Sequence, residues 1–292
     1  MQFHVLGSGS SGNASLVVAG AVGVLVDLGF GPRTLTRRLA DIGASWDNVH
    51  GAVLTHVHTD HWHENSLRHL ERRRLTLHCH PDHVAALRPM SAAFCRLHDT
   101  GLVHTYRIGA QCRFDGGLMC RPLPLQHDGG ATCGFRFDWD GRSLGYAADL
   151  GSWNRTLVED LIDVDLLALE FNHDVAMEKA SGRAAQLIDR VLGEHGHLSN
   201  EQAAALLHAV LAASAPGRLR HLVQLHLSRQ CNRRDLAHAA ASMVRDKAGA
   251  RFQVHTAHQD QPGPTILVER HALEPAAALG KRQMTLPGWD GD

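Results

Sequence analysis

The 292-residue chain reads as an α/β protein whose sheets carry helices on their outer faces. Short runs that alternate apolar and polar residues recur from the N-terminus, as half-buried strands do. Ala- and Leu-rich stretches of helical period are set between such runs, most densely after residue 149. The composition, 44% apolar and 20% charged, is that of an ordinary folded domain, and no apolar run approaches the ~18 residues of a membrane span.

The elements follow in order. Phe3 to Leu6, Leu16 to Val18 and Val24 to Asp27 are strands joined by glycine-rich turns. Pro32 suits the first position of a helix, Leu35, Leu39 and Ile42 give its apolar face, and Gly43 closes it. The strand Gly51 to Thr55 runs into His56-Val-His-Thr-Asp-His61. A second strand, Leu75 to Cys79, overlaps the same letters in His78-Cys-His-Pro-Asp-His83, where Pro81 and Asp82 suit the first turn of a helix and Asp82 reads as its cap. Phe135, Phe137 and Trp139 alternate up to Asp140-Gly141, a two-residue hairpin signal, and the returning strand ends at Asp149. Beyond it come a strand at 163–171, helices around 181–193 and 200–213, a strand over His221 to Ser228 and a helix near 232–247. Residues 1–270 form one domain on this reading, and 271–292, without apolar period, a flexible tail.

A net charge of −1 gives no global attraction to polyanions, so any grip on nucleic acid must be local. Six scattered cysteines without C-x-x-C pairs suit reduced thiols, and the N-terminus shows no export signal, so a cytoplasmic address is expected. Oligomeric state is not legible. The unusual number is 23 histidines.

Histidines at the end of a strand, spaced by two, point to one side, which suits a shared metal. At 56–61 the strand delivers His56 and His58, and a turn then presents Asp60 and His61 to a second ion a few ångströms away. At 78–83 the histidines lie on the polar face of a strand leading into a helix, a surface junction, with a second zinc site as the alternative. His127, Asp149 and His226 each end an apolar strand, where loops converge and sites form.

The order "LGSGSSGN", "LVDLG", "LTHVHTDH", His127, "AADLG", "LEFNHD" and "LHLS" with Asn232 resembles the metallo-β-lactamase family, and within it the single-domain WalJ-like (YycJ-like) nuclease branch, over roughly residues 1–270. The resemblance implies a four-layer αββα sandwich with two metals at one edge of the sheets. It implies His56, His58 and His127 around one metal, Asp60, His61 and His226 around the other, and Asp149 bridging. The segment "HWHENS" departs from the branch, and His63 reads as a helix-surface residue rather than an added ligand.

Imidazole and carboxylate donors without thiolate suit two divalent ions, Zn2+ first and Mn2+ second. The expected chemistry is hydrolysis of a phosphodiester by a metal-bridging hydroxide that Asp60 orients, in an exonuclease-like enzyme on DNA or RNA. His173, Glu170 and His197 are the candidates to protonate the leaving group, with His197 equally readable as a loop residue before a helix capped by Ser199. Ser10 and Asn13 form either a phosphate cradle or a tight turn, and Ser228, Asn232 and Arg229 are candidate phosphate contacts. Arg68, Arg72, Arg73 and Arg74 read as a solvated helix face or as backbone contacts. The competing functions are a small-molecule hydrolase acting on a phosphodiester, thioester or lactone, and a non-catalytic module with structural zinc.

Overall fold

The computed structural model describes residues 1–270, and the segment 271–292 lies outside the described residues. The first sheet holds β1 (Gln2–Gly7), β2 (Ala14–Ala19), β3 (Val22–Val26), β4 (Gly51–Val53), β5 (Thr76–Cys79) and β6 (Val103–Thr105). The second holds β7 (Cys112–Arg113), β8 (Met119–Leu125), β9 (Thr132–Trp139), β10 (Arg142–Ala147), β11 (Leu166–Glu170), β12 (His221–Leu225) and β13 (Gln253–Thr256). A last strand, β14 (Ile266–Leu267), returns to the first sheet beside β1.

Helices cover both outer faces. α1 (Pro32–Asp41), α2 (Glu64–Arg73), α3 (Pro81–Leu87) and α4 (Ala92–Asp99) follow strands of the first sheet. α5 (Arg155–Leu161), α6 (Val175–Lys179), α7 (Ala185–Leu192), α8 (Asn200–Ala213) and α9 (Arg234–Lys247) follow strands of the second. Three apolar layers result, giving the order αββα. Phe3, Val17, Val24, Phe135 and Tyr146 fill the space between the sheets. Leu35, Leu39, Leu67 and Phe94 fill the space under one helical layer, and Leu161, Leu167, Leu206 and Leu222 that under the other. Each such side chain contributes roughly 1.5–3 kcal/mol on burial. No helix among the described residues is long and apolar enough to cross a membrane.

Both sheets are antiparallel in one half and parallel in the other. β3 to β6 run parallel, as do β10 to β13, so their C-terminal ends share one edge of the molecule. β1 and β8 point the same way through two antiparallel steps each. Every loop that carries a candidate donor therefore opens on that edge.

Most expected elements form, with local shifts. Asp140 and Gly141 take positive φ (47° and 71°), as the hairpin requires. Ser199 caps α8 in a capping box with Gln202. The expected strand over His221 to Ser228 stops at Leu225 because His226 turns into the left-handed region at φ 55°. The helix expected at 181–193 is shorter, and α6 precedes it, capped by Asp174.

The second histidine cluster is the expected strand-to-helix junction, exposed at Pro81 and Asp82 but buried at His83. Asp82 does not cap α3; the His80 side chain does, accepting from Asp82 N, while His83 Nδ1 accepts from His80 N. His83 is buried and its Nε2 donates to the Ala131 carbonyl at 2.6 Å. His78 packs on Phe114 and stacks on His104.

Burial depresses the pKa of His4, His78 and His83 to about 4 from the usual 6.5. A folded pKa below the unfolded one means that stability is full above pH 6.5 and is lost as pH falls toward 4. For His83 the full shift corresponds to about 3 kcal/mol. Melting temperatures recorded from pH 7 to pH 4 are expected to fall steadily, with a shallower fall in His83→Gln.

Candidate functional site

The donors meet where the two sheets' C-terminal edges face each other. Nitrogen or oxygen atoms of His56, His58 and His127 lie within 4.8 Å of one another, as do those of Asp60, His61 and His226, and those of His56, His61 and Asp149. The Asp149 carboxylate faces both sides, with Oδ2 3.1 Å from His61 Nε2 and Oδ1 3.4 Å from His226 Nε2. Asp60 Oδ2 lies 3.5 Å from His61 Nε2 and 3.4 Å from His226 Nε2. The structure thus brings together all seven residues proposed as ligands.

Their orientation comes from groups behind them. His61 Nδ1 donates to Asp27 Oδ2 at 2.7 Å, both side chains being fully buried, so Nε2 presents its lone pair to the site. Thr55 donates its backbone N–H and its hydroxyl to the same carboxylate and stands 3.0 Å from His56 Nδ1. His127 Nδ1 donates to the Gly196 carbonyl at 2.8 Å. Glu170 Oε1 lies 2.8 Å from His197 Nδ1 and 3.3 Å from His226 Nδ1. Asp27, Asp149 and His226 all hold left-handed φ (64°, 61° and 55°), the conformation that swings a strand-end side chain inward at roughly 1–3 kcal/mol each.

Charge is unbalanced without a cation. Burial pulls the His61 and His226 imidazoles down, but Asp149, with Asp27 beside His61 and Asp60 and Glu170 beside His226, outweighs it and holds both well above the usual range. Burial pushes Asp149 up, and His226 and His61 overcome it, leaving the carboxyl well below its usual range. Glu170 behaves alike, its pKa down to about 2 through His197. His56 Nε2 and Asp149 Oδ2 are buried without a hydrogen-bond partner. An orphaned buried polar atom costs roughly 1–3 kcal/mol. Two such atoms aimed into one set of N and O donors fit a divalent cation, whose site they would complete.

Four of the donors, His58, Asp60, Asp149 and His226, line an open cleft of about 490 Å3. Ser10, Ser228 and His197 line it, with Arg183, Leu187 and Arg190 from the α7 region. His173 does not line it: it is buried, with both ring nitrogens unpartnered, so its candidacy as a proton donor is corrected. Glu170 is buried behind His197, accepting also from Leu150 N and Leu198 N, and positions rather than donates.

Asn13 is not a substrate contact either. Its Oδ1 accepts from Ser8 Oγ and Gly9 N, and its Nδ2 reaches Asp60 Oδ2 at 3.2 Å. The glycine-rich loop is accordingly a turn, whose Gly9, Ser11 and Gly12 amides all donate to protein acceptors. Asn232 is committed to the Phe171 and Asn172 carbonyls and to Asn200, and Arg229 pairs with Asp260 outside the cleft.

Three residues near the site went unread in the sequence. Asp27 ends a strand like the other donors, a signal that was present in "LVDLG". Asp128, next to His127, has its Oδ1 3.7 Å from His58 Nε2 and pairs with Arg190, tying α7 to the site. Arg183 is held by the buried Glu178. His63 caps α2 by accepting from Asn65 N and lines a separate groove.

A family model described as the Beta-lactamase superfamily domain matches residues 23–216. The chain is 26% identical over 269 residues to Exodeoxyribonuclease WalJ of Streptococcus pneumoniae, covering 90% of this chain and 96% of that protein. It is 24% identical over 273 residues to Exodeoxyribonuclease YycJ of Bacillus anthracis, covering 90% and 97%. Its fold matches the metallo-beta-lactamase fold protein YhfI of Bacillus subtilis with a TM-score of 0.64 at 15% identity, over 91% of this chain and 99% of that one.

If Asp27 fixes the His61 tautomer, Asp27→Asn weakens metal binding by about 10- to 100-fold while the protein stays folded. Competition with a chromogenic chelator measures this, and unchanged affinity would remove Asp27 from the role.

Proposed function

We propose that this chain, which belongs to the beta-lactamase superfamily, is a two-metal hydrolase that cleaves phosphodiester bonds at the end of a nucleic acid strand, DNA foremost. The observation that carries this reading is the convergence of seven imidazole and carboxylate donors, no thiolate among them, around two orphaned buried atoms. His56, His58 and His127 would hold one ion, Asp60, His61 and His226 the other, and Asp149 both, with zinc the first choice and manganese the second. Bound there, divalent ions acidify water to near neutral pH and offset charge on phosphoryl oxygens.

The chain's own groups supply the rest. Asp60 is one-fifth exposed, steadied by Asn13, and faces the cleft where it can orient an attacking water. His197 gives its Nδ1–H to Glu170, and in its doubly protonated form it also carries a proton on Nε2 that it can pass to the leaving oxygen. Arg183 and Arg190, paired with Glu178 and Asp128, line the wall of the cleft, and Ser10 and Ser228 bring hydroxyls. The six unpaired thiols suit a reducing compartment such as the cytoplasm.

End-labelled DNA and RNA incubated with metal-loaded protein should be shortened from one end. Chelation should stop the reaction, zinc or manganese should restore it, and Asp60→Asn should abolish it without unfolding. Turnover of a chromogenic phosphodiester with none on any oligonucleotide would replace this reading with a small-molecule hydrolase.

His197→Ala should cost about 10²- to 10⁴-fold in kcat on an oligonucleotide. With a 4-nitrophenyl ester, whose leaving group needs no proton, the loss should largely vanish. Equal losses on both substrates would make His197 a structural residue.

A further inference from the structure

A second groove, of about 440 Å3, opens between the start of α1 and the length of α2. Arg33, Arg68, Arg72, His63 and His69 line it, and no acidic side chain does. In a chain whose net charge is −1, that is a local concentration of positive charge.

The arginines are available. Arg33 and Arg72 have no ion pair among the described residues. Arg68 reaches Glu64 only at 4.0 Å, and Glu64 is itself engaged by Ser91 Oγ and Ala93 N. Arg68 and Arg72 are one helical turn apart and so share a face of α2. The other two arginines of the run lie outside the groove lining: Arg73 pairs with Asp47 at 2.9 Å, and Arg74 ends the helix at φ 55°.

Backbone and imidazole donors add to them. Gly31 caps α1 with no side-chain hydrogen bond, and the first intrahelical donor is Leu35, so the Arg33 and Thr34 amides at the groove precede it. His63 Nδ1 accepts from Asn65 N, which puts the ring proton on Nε2.

The groove adjoins the catalytic edge. α1 and α2 follow β3 and β4 at the ends that carry Asp27 and His56. His63 is two residues beyond His61, so their Cα atoms are no more than about 7.6 Å apart.

We infer that this groove is a phosphate-binding exosite that holds the backbone of the nucleic acid strand whose end lies in the metal cleft. It rests on the nucleic-acid reading above and extends it, with Arg33, Arg68 and Arg72 each meeting a phosphate.

The test is fluorescence anisotropy with a labelled single-stranded oligonucleotide and the full chain carrying Asp60→Asn, which prevents cleavage. Adding Arg33→Gln, Arg68→Gln and Arg72→Gln should weaken binding at least about tenfold and flatten the slope of log affinity against log salt by about 2. The corresponding Lys variants should keep most of that slope. In an otherwise wild-type background, the Gln variants should raise KM for a long oligonucleotide and leave a chromogenic phosphodiester unaffected.

A loss under twofold overturns the exosite, as does an equal loss when Arg107, Arg113 and Arg155 are changed to Gln. If the triple Gln variant melts early, Arg33→Gln and Arg72→Gln tested singly decide the matter by the same criteria. Arginine-dependent binding without cleavage by the wild type would sink the nuclease reading and keep the groove. Cleavage of long and short strands alike by the Gln variants would sink the groove alone.

Discussion

The buried hydrogen bond from His61 to Asp27 is the constraint on which the arrangement of donors at the sheets' edge depends. A neutral imidazole has one proton, and giving it to Asp27 leaves a lone pair on Nε2, which faces the Asn13 amide at 3.0 Å and the carboxylates of Asp60 and Asp149 at 3.5 and 3.1 Å. The Asn13 N–H offsets part of the repulsion between lone pair and carboxylates, and a positive charge between them offsets more. A proton can fill that role, which is why His61 and His226 are held so basic; a divalent cation fills it with more charge and more contacts. The same carboxylate accepts from Thr55, and Thr55 stands against His56, so one buried aspartate orders donors from both proposed ion sites.

The fold keeps that arrangement by spending backbone strain at the edge and repaying it in the core. Asp27, Asp149 and His226 each close a strand and each take a left-handed turn. A strand end with ordinary extended geometry would point its side chain across the sheet instead of into the gap. The three apolar layers behind these turns are fully buried along β3, β10 and β12, so the strands cannot slide to relieve the strain. Asp and His tolerate this region better than branched residues do.

Legibility in the sequence followed the range of the interaction. The alternation in Phe135, Phe137 and Trp139, the Asp140-Gly141 turn and the Ser199 cap are local signals, and each of these forms in the structure. The donors at His127, Asp149 and His226 were legible as polar residues ending apolar runs. What could not be read was which side chains stand behind them. Asp27 reaches His61 across 34 positions, Arg190 reaches Asp128 across 62, and no spacing rule covers such pairs. His173 and Asn232 misled for the complementary reason. Each sits at a strand or helix end in sequence, yet packing turns both side chains away from the cleft and into the interior.

The two copies of H-x-H-x-D-H show that a donor motif acquires its role from what faces it. After β4 the chain meets the second sheet's edge, where His127, Asp149 and His226 stand opposite; after β5, one strand further out, no such donor cluster forms among the described residues. There the imidazoles do structural work, capping a helix through His80 and holding the Ala131 carbonyl through His83. That carbonyl belongs to the loop carrying Gly129, which packs so closely that an added Cβ would lie 2.6 Å from His56 Cδ2. Two residues on, Cys133 N donates to Thr55 O. The second cluster therefore braces the loop that presses on the first, and a neutral, deeply buried His83 is what that bracing requires.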